Sequence, residues 1–463
     1  MNVLAWLTAG VAGWLWVRAL HPRPSAPGWI RLGREAALAL AFGTGATASA
    51  FFILLWAGLA PRTAAWTADG IVLAAGAGLW ALRRNREIAV EIREPAARFN
   101  NAWLPGIAAA AAVAAFLAAL ILMISAGPQG DWDAWAIWNV RSKFLAHDGL
   151  WRNAVSPELA ATHPEYPLLW PAAVARAWSE SGRVTPAAPQ TGAFAAALTL
   201  VLLFASGLAA RSGWQWAAVG TATLLMAVSL WRTAPGQYAD VPLAMFLLGS
   251  VIAAAAAQQA GWNPAGLALS GALASFAAFT KNEGLAFCLF LAAALAFAAR
   301  QRALWWLAGA APALALTGLF HGLLAPPKAM VSAASFQQLG RLADVLKGMA
   351  LEAWRLGDFP AHPLLFVLLL FFAFRPKWPW RPLWPAAAAL LLLVADVGAL
   401  WGSPSDASWQ VSTATDRLLL QITPVLLLCA FWWLARAQGA AASAGPPPKP
   451  RRRKPGAESA AQS

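Results

Sequence analysis

The chain has 463 residues, of which 60% are hydrophobic and only 12% are charged, and its mean hydropathy is +0.56. A water-soluble globular fold of this composition would have to bury more apolar surface than its interior can hold. The composition therefore predicts an all-α polytopic membrane protein, because apolar runs of about 15 to 25 residues match membrane-spanning helices and exceed the length of barrel strands.

In chain order, the hydropathy pattern predicts about thirteen spanning helices, each bounded to within about three residues. The count is two lower if the short run at 362–374 does not span and the pair of runs around Lys281 crosses as one. The predicted spans are 2–20, 36–58, 65–82, 104–126, 187–210, 216–231, 240–259, 265–280, 284–299, 303–324, 362–374, 384–401 and 417–436.

The net charge of +14 is concentrated in short connections between spans, which is typical of cytoplasmic loops. Basic residues cluster at 18–34 and 83–98, and alternation from these loops also puts the later basic connections and the C-terminus inside. We therefore expect the N-terminus to lie outside. Alanine- and arginine-rich usage without organelle signals favours the cytoplasmic (inner) membrane of a bacterium. The segments predicted on the outer side are 127–186, 232–239, 281–283, 325–361 and 402–416.

Four regions follow from this pattern. Residues 1–103 form an accessory unit of about three spans, 104–330 a central module with the long outer loop 127–186, and 331–436 a C-terminal loop with its spans. Residues 437–463 have the composition of a disordered tail. Its basic run is expected to contact anionic membrane lipids, and no nucleic-acid partner is expected.

Most carboxylates that are not next to a basic loop fall on the predicted outer side. The segment 127–148 contains Asp131 and Asp133 followed by a tryptophan-rich stretch with Arg141 and Lys143. This stretch predicts a helix lying at the membrane interface, with tryptophans at headgroup depth. Asp133 at its start is either an N-cap that interacts with the helix dipole or a catalytic group, and the segment alone does not decide between the two.

The segment THPEYPLLWP at 162–171 combines His163, Glu165 and Tyr166 with three prolines. Proline ends one helix and opens the next, so the segment is either a rigid turn or a binding element.

Several short motifs share the predicted outer face and occur in a fixed order. They are the acidic pair Asp131 and Asp133, the tryptophan-rich helix, the YP-L segment at 166–168, GQYAD at 236–240, TKNEG at 280–284 and an Arg-Leu-Leu run from Arg417. Together they resemble the GT-C superfamily of integral-membrane glycosyltransferases, and the protein O-mannosyltransferase-like and aminoarabinose-transferase-like branches in particular. The resemblance covers roughly 104–436.

The resemblance implies that Asp133, with Asp131 beside it, acts as the base or orients the acceptor. Related enzymes can carry a phosphate-binding lysine near the YP-L segment, where this chain has Glu165. We therefore expect donor-phosphate and substrate binding from Arg141, Lys143, Tyr166, Lys281 and Arg417, and an acidic cavity from Glu165, Asp240 and Glu283. The alternatives are that Arg417 and Lys281 are interfacial anchors, that Lys281 pairs only with Glu283, and that Asp240 is a cap.

The resemblance implies transfer of a sugar, with inversion, from a polyprenyl-phosphate donor to a lipid, glycan or protein acceptor. Cations would stabilise the departing phosphate while a carboxylate accepts the proton of the attacking hydroxyl. No cofactor is expected, and a divalent cation on Asp131 and Asp133 is the alternative, although such ions usually take more carboxylates. The alternative functions are a lipid-linked sugar flippase or transporter, and a lipid-linked oligosaccharide ligase or polymerase.

Overall fold

A computed structural model describes residues 2–21, 23–24, 28–84, 89–90, 103–328, 331–353 and 384–443. Almost all regular structure in these ranges is helical. The helices are α1 (Asn2–Leu20), α2 (Gly28–Trp56), α3 (Pro61–Arg83), α4 (Trp103–Ala126), α5 (Asn139–Ala146), α6 (Leu169–Ser181), α7 (Ala187–Ser212), α8 (Trp214–Leu224), α9 (Val228–Thr233), α10 (Asp240–Gln259), α11 (Pro264–Ala278), α12 (Asn282–Ala299), α13 (Ala303–Leu323), α14 (Ala333–Phe336), α15 (Leu339–Ala353), α16 (Trp384–Gly402) and α17 (Ala407–Ser443).

Short elements complete the described chain. A π-helical turn, Ala134–Trp138, leads into α5, and 3-10 turns occupy Trp151–Val155, Pro157–Thr162 and Arg300–Arg302. Strands β1 (Arg23–Pro24) and β2 (Ala89–Val90) pair in parallel, with Arg23 opposite Ala89. The fold is therefore an all-α bundle with one minimal pair of strands.

Nine helical segments of the described chain are long and apolar enough to cross a membrane. The protein is thus a multi-pass α-helical membrane protein. One of the nine segments, 282–323, contains both α12 and α13, separated by the 3-10 turn at which Arg300 has a φ of 53°. The predicted span 216–231 is divided into the short helices α8 and α9, and 362–374 lies outside the described residues. The count of about thirteen spans therefore stays a prediction.

The three N-terminal helices pack closely on one another because small residues face each other. A Cβ added at Gly13 would lie 1.9 Å from the carbonyl oxygen of Ala39, and one at Gly43 would lie 1.8 Å from that of Ala9. Such contacts between backbones are typical of membrane helices, where small residues permit close packing. Helix α2 also contacts α7, and α1 to α3 all contact α6.

Helix α10 is the centre of the bundle. Its residues from Asp240 to Ala257 are all buried, and α7, α11 and α17 pack around it. A helix that is apolar on all sides can be stable only inside such a shell. Asp240, its first residue, is therefore a charged group at the end of the most enclosed helix.

The segments predicted to lie outside meet at one end of the bundle. The Asp131 amide donates to the Gly236 carbonyl at 3.2 Å, and the Leu169 amide donates to the Phe279 carbonyl at 2.9 Å. On the C-terminal side, the Ser332 amide donates to the Gly402 carbonyl at 2.7 Å. This end of the bundle, where these loops converge, is called the loop face below.

Candidate functional site

Asp133 lies in the first turn of the interfacial helix, just before the π-helical turn, and its side chain makes no capping hydrogen bond. Instead, its Oδ2 accepts a hydrogen bond from Nη1 of Arg417, which lies 284 residues later in the chain, on α17. The two side chains are 20% and 24% exposed, respectively. The N-cap alternative is therefore wrong, and Asp133 is a partly accessible carboxylate held by a cation.

Arg417 has a second neighbour on the loop face. Its guanidinium carbon lies 5.2 Å from the ring centre of Tyr238, within the range of a cation–π contact. Burial, followed by the charges of Asp131 and Asp133, raises the pKa of Tyr238 above its usual range. The phenol therefore stays protonated and can donate a hydrogen bond. The Nε atom of Arg417 is buried and has no hydrogen-bond partner among the described residues, so part of its donor capacity is unused there.

Lys281 joins the start of α10 to the start of α12. Its Nζ lies 2.8 Å from Oδ1 of Asp240 and 3.1 Å from Oε1 of Glu283. Gln421, one turn after Arg417 on α17, donates to the same Asp240 oxygen at 2.6 Å. The Lys281 side chain is 7% exposed and that of Asp240 is 1% exposed. The predicted Lys281–Glu283 pair forms, but the shorter contact of Lys281 is to Asp240. Asp240 is therefore the partner of Lys281 and Gln421 and not an isolated helix cap.

We call Asp133, Tyr238, Asp240, Lys281, Glu283, Arg417 and Gln421 the charged cluster. It contains three carboxylates and two cations from four separate segments of the chain. Opposite charges this close in a poorly solvated site favour the ionised forms of all partners. Burial lowers the pKa of Lys281, but Asp240 and Glu283 outweigh it and hold that pKa above its usual range, so Lys281 is cationic.

Arg141 does not have the phosphate-binding position that the sequence predicts. It is fully buried, and its guanidinium donates to four carbonyl oxygens, those of Ala154, His163, Pro164 and Tyr166, at 2.6 to 3.3 Å. Burial lowers its pKa to about 9. Since its donors are used by the backbone, Arg141 fixes the shape of the outer loop, and we do not assign it to the donor phosphate.

Lys143 and Asp131 lie at the edge of the loop face. Lys143 is exposed on α5. Asp131 is also exposed, and its carboxylate lies so near Gly236 that a Cβ there would come within 2.8 Å of Oδ2. Among the described residues, neither side chain forms an ion pair with the charged cluster, although the charge of Asp131 acts on Tyr238. Of the two predicted acidic residues, only Asp133 therefore pairs with a cation there.

Glu165 and Tyr166 form a second group on the loop face. Tyr166 stacks between His163, at 4.7 Å, and Trp138, at 5.8 Å between ring centres. Oε1 of Glu165 lies 2.9 Å from Nδ1 of His163 and 2.8 Å from Nζ of Lys328. Lys328 follows α13, so the structure brings a lysine to the YP-L segment from a distant part of the chain.

Sequence reasoning missed Lys328 because nothing in its local sequence links it to residue 165. It also missed a buried network at the other end of the outer loop. Nη1 of Arg176 lies 2.7 Å from Oδ1 of Asp69 and 2.6 Å from Oε1 of Glu180, and its Nη2 donates to the Ala5 carbonyl at 2.6 Å. The sequence feature that could have indicated this network is the presence of charged residues inside the apolar helices α3 and α6.

Within the described residues, no group of three or more His, Cys, Asp or Glu side chains is placed to hold a metal ion. The predicted pair Asp131 and Asp133 is divided, since Asp133 binds Arg417 and Asp131 turns toward Gly236. The acidic residues of the site thus have protein cations as partners.

Comparison of the chain with family models, curated proteins and solved structures finds no match. What the structure itself establishes is the class: a multi-pass, all-α membrane protein with converging loops at one end. The resemblance to the GT-C superfamily stays a prediction that rests on the motifs described above.

Proposed function

We propose that the protein is a membrane glycosyltransferase that moves a sugar from a polyprenyl-phosphate donor to an acceptor at the loop face. We place this face on the outer side of a bacterial cytoplasmic membrane, as the distribution of basic loops predicts. The observation that carries the proposal is the pairing of the partly exposed Asp133 with Arg417, beside Lys281 and Asp240.

The geometry supplies both kinds of group that the reaction requires. A sugar leaves its lipid phosphate when the C1–O bond breaks, and the electron pair stays on the phosphate oxygen. Cations must stabilise that oxygen, and Arg417 and Lys281 are the cations of the cluster. The acceptor hydroxyl forms the new C1–O bond and gives up its proton, which Asp133 accepts in this scheme.

The pairing also suggests how donor binding and catalysis are linked. Asp133 accepts a hydrogen bond from Arg417. A phosphate anion competes for the same guanidinium, since arginine binds phosphate and carboxylate with the same donor geometry. Binding of the donor would therefore release Asp133 to act as a base. Tyr238 lies beside Arg417 and remains protonated, and in this scheme it donates a hydrogen bond to a substrate oxygen.

The test is transfer of radiolabelled sugar from a membrane pool of polyprenyl-phosphate sugars by protein reconstituted in nanodiscs. Asp133→Asn is expected to lower transfer by about a hundredfold or more, which is the usual scale for a general base. Asp148→Asn, which changes an exposed carboxylate at the turn after α5, is the matched control and should keep wild-type transfer.

Two results would contradict the proposal. One is full transfer by Asp133→Asn in a protein that elutes and unfolds like wild type. The other is a wild-type protein that transfers no sugar but redistributes lipid-linked sugar across a sealed bilayer. The second result would instead identify a flippase.

A further inference from the structure

An apolar cavity of about 400 Å³ lies between the N-terminal helices and the pair α11 and α13. Apart from the Trp16 indole, which donates to the Val72 carbonyl, the polar side chains of its wall are the two serines Ser49 and Ser275. Five helices contribute to the wall, through residues that include Trp16, Phe42, Ala46, Ala272, Phe276 and Ala313. The cavity thus lies where the accessory unit meets the rest of the bundle.

This cavity is not expected to be stable either empty or filled with water. An empty space costs stability in proportion to its volume, because the lining side chains lose their packing partners. A buried water molecule needs two to four polar partners, which these walls do not provide. Most of the wall belongs to helices that qualify as membrane spans, so the surrounding medium is lipid. A hydrocarbon chain is the filling that fits the chemistry of the wall.

The two ends of the cavity differ in character. At one end, the next turn of α11 and α13 closes it with aromatic rings: Phe279 packs on Phe52 at 5.7 Å and on Phe320 at 6.2 Å between ring centres. These rings lie on the side of Lys281 and the loop face.

At the other end, Leu20 lines the cavity and His21 follows it. His21 is 5% exposed and Arg34 is 2% exposed. Among the described residues, both ring nitrogens of His21 and the Nε and Nη2 atoms of Arg34 have no hydrogen-bond partner. The neighbouring Glu35 pairs with Arg18 at 3.4 Å through Oε2, and its Oε1 also has no partner among the described residues. Buried polar groups without partners are rare in folded proteins, and these point to a ligand with acceptor oxygens.

We propose that the cavity holds one acyl chain of an anionic phospholipid, with its phosphate at His21 and Arg34. Basic pockets between helices on the cytoplasmic side are known to suit anionic headgroups, and the basic loops predict that side for this end. Burial, and then the charge of Arg34, lowers the pKa of His21 well below its usual range. The ring is therefore neutral and offers one N–H donor beside the guanidinium. The lipid would join the accessory unit to the bundle.

The first measurement is mass spectrometry of the lipids that remain on the protein after purification in mild detergent. Arg34→Gln is expected to reduce the retained anionic phospholipid by about tenfold, the loss typical of hydrogen bonds to a charged group. Arg31→Gln removes an exposed arginine from the same turn of α2 and should retain the lipid at the wild-type level.

The second measurement needs no variant in the headgroup site. The wild-type protein in vesicles is irradiated with a phosphatidylglycerol that carries a diazirine in its acyl chain, and the labelled peptides are mapped. Labels on α2, α11 and α13 support the proposal. Ala272→Phe, which fills the cavity, should abolish them, and Ala111→Phe on the exposed side of α4 should not.

Three outcomes would overturn the proposal: wild-type protein that retains no lipid, lipid retained without preference for an anionic headgroup, and a diazirine polyprenyl phosphate that labels the cavity in preference to the phospholipid. The last result would assign the cavity to the donor of the proposed reaction.

Discussion

The bond between Lys281 and Asp240 gives the sharpest test of how the bundle holds its charges. Removing one partner of a buried ion pair leaves the other charge without compensation, which typically costs about 3–5 kcal/mol. Lys281→Met has this effect on Asp240, whose side chain is 1% exposed. Gln421 still donates to Asp240 at 2.6 Å, so we expect a loss near the lower limit, about 3 kcal/mol.

The double variant Lys281→Met with Asp240→Leu removes both charges. Replacing a whole buried pair by apolar residues of similar size is often neutral, so the double variant should recover most of the stability that the single variant loses. Unfolding by titration with a denaturing detergent in mixed micelles, followed by the fluorescence of the 28 tryptophans, measures all three proteins. Lys143→Met, at an exposed lysine of α5, is the control and should unfold at the wild-type midpoint.

The reasoning is refuted if Lys281→Met unfolds like wild type, or if the double variant is less stable than Lys281→Met. The first result would mean that water reaches Asp240 and screens it. The second would mean that the two residues act independently, without the coupling that their 2.8 Å contact implies.

Three further predictions test other parts of the structure. Burial, together with the charge of Asp69, raises the pKa of Glu180 to about 8 against the opposing charge of Arg176. The folded protein therefore binds a proton that the unfolded chain releases near pH 4.5, and stability should fall as pH rises from about 4.5 to 8. Glu180→Gln should flatten this pH dependence in thermal unfolding scans. Burial raises the pKa of Glu165, but hydrogen bonds from His163 and Lys328 outweigh it and lower that pKa to about 2. The stability that ionised Glu165 contributes is present above about pH 4.5 and is lost as pH falls toward 2. Proteolysis near Lys328 should therefore increase in that pH window, and Glu165→Gln should show the increase already at pH 7. A Cβ at Gly271 would lie 2.0 Å from the Trp306 carbonyl oxygen, so Gly271→Val should cost about 1–3 kcal/mol or more by overpacking, whereas Gly318→Val in open space should unfold close to wild type.

Local sequence was sufficient for the features that depend on composition and spacing. Runs of apolar residues predicted spanning helices because a helix in lipid satisfies its own backbone, so its neighbours hardly affect the prediction. The membrane class was confirmed by this route, and α4, α7 and α10 lie close to their predicted bounds. The pattern was less informative for α8 and α9, where a predicted single span is interrupted near residue 226.

The roles of single charged residues could not be read in the same way, because a role depends on which groups are nearby in space. Whether Asp133 is an N-cap or a partner of Arg417 depends on where α17 packs. Arg417 lies 284 residues later in the chain, and the sequence around Asp133 does not indicate that the two residues meet. Arg141 resembled a phosphate ligand in the sequence, but the outer loop folds back and supplies four carbonyl oxygens to it.

The sequence by itself thus determined that this chain enters a membrane and which segments carry charge, since transfer from water to lipid is a property of each segment alone. Only the tertiary structure decided which charges meet. Lys328 reaches Glu165, Lys281 reaches Asp240, and Arg176 reaches Asp69. The physical reason is that a charge at low dielectric requires a partner within a few ångströms, and the packing of the helices determines which residue lies that close.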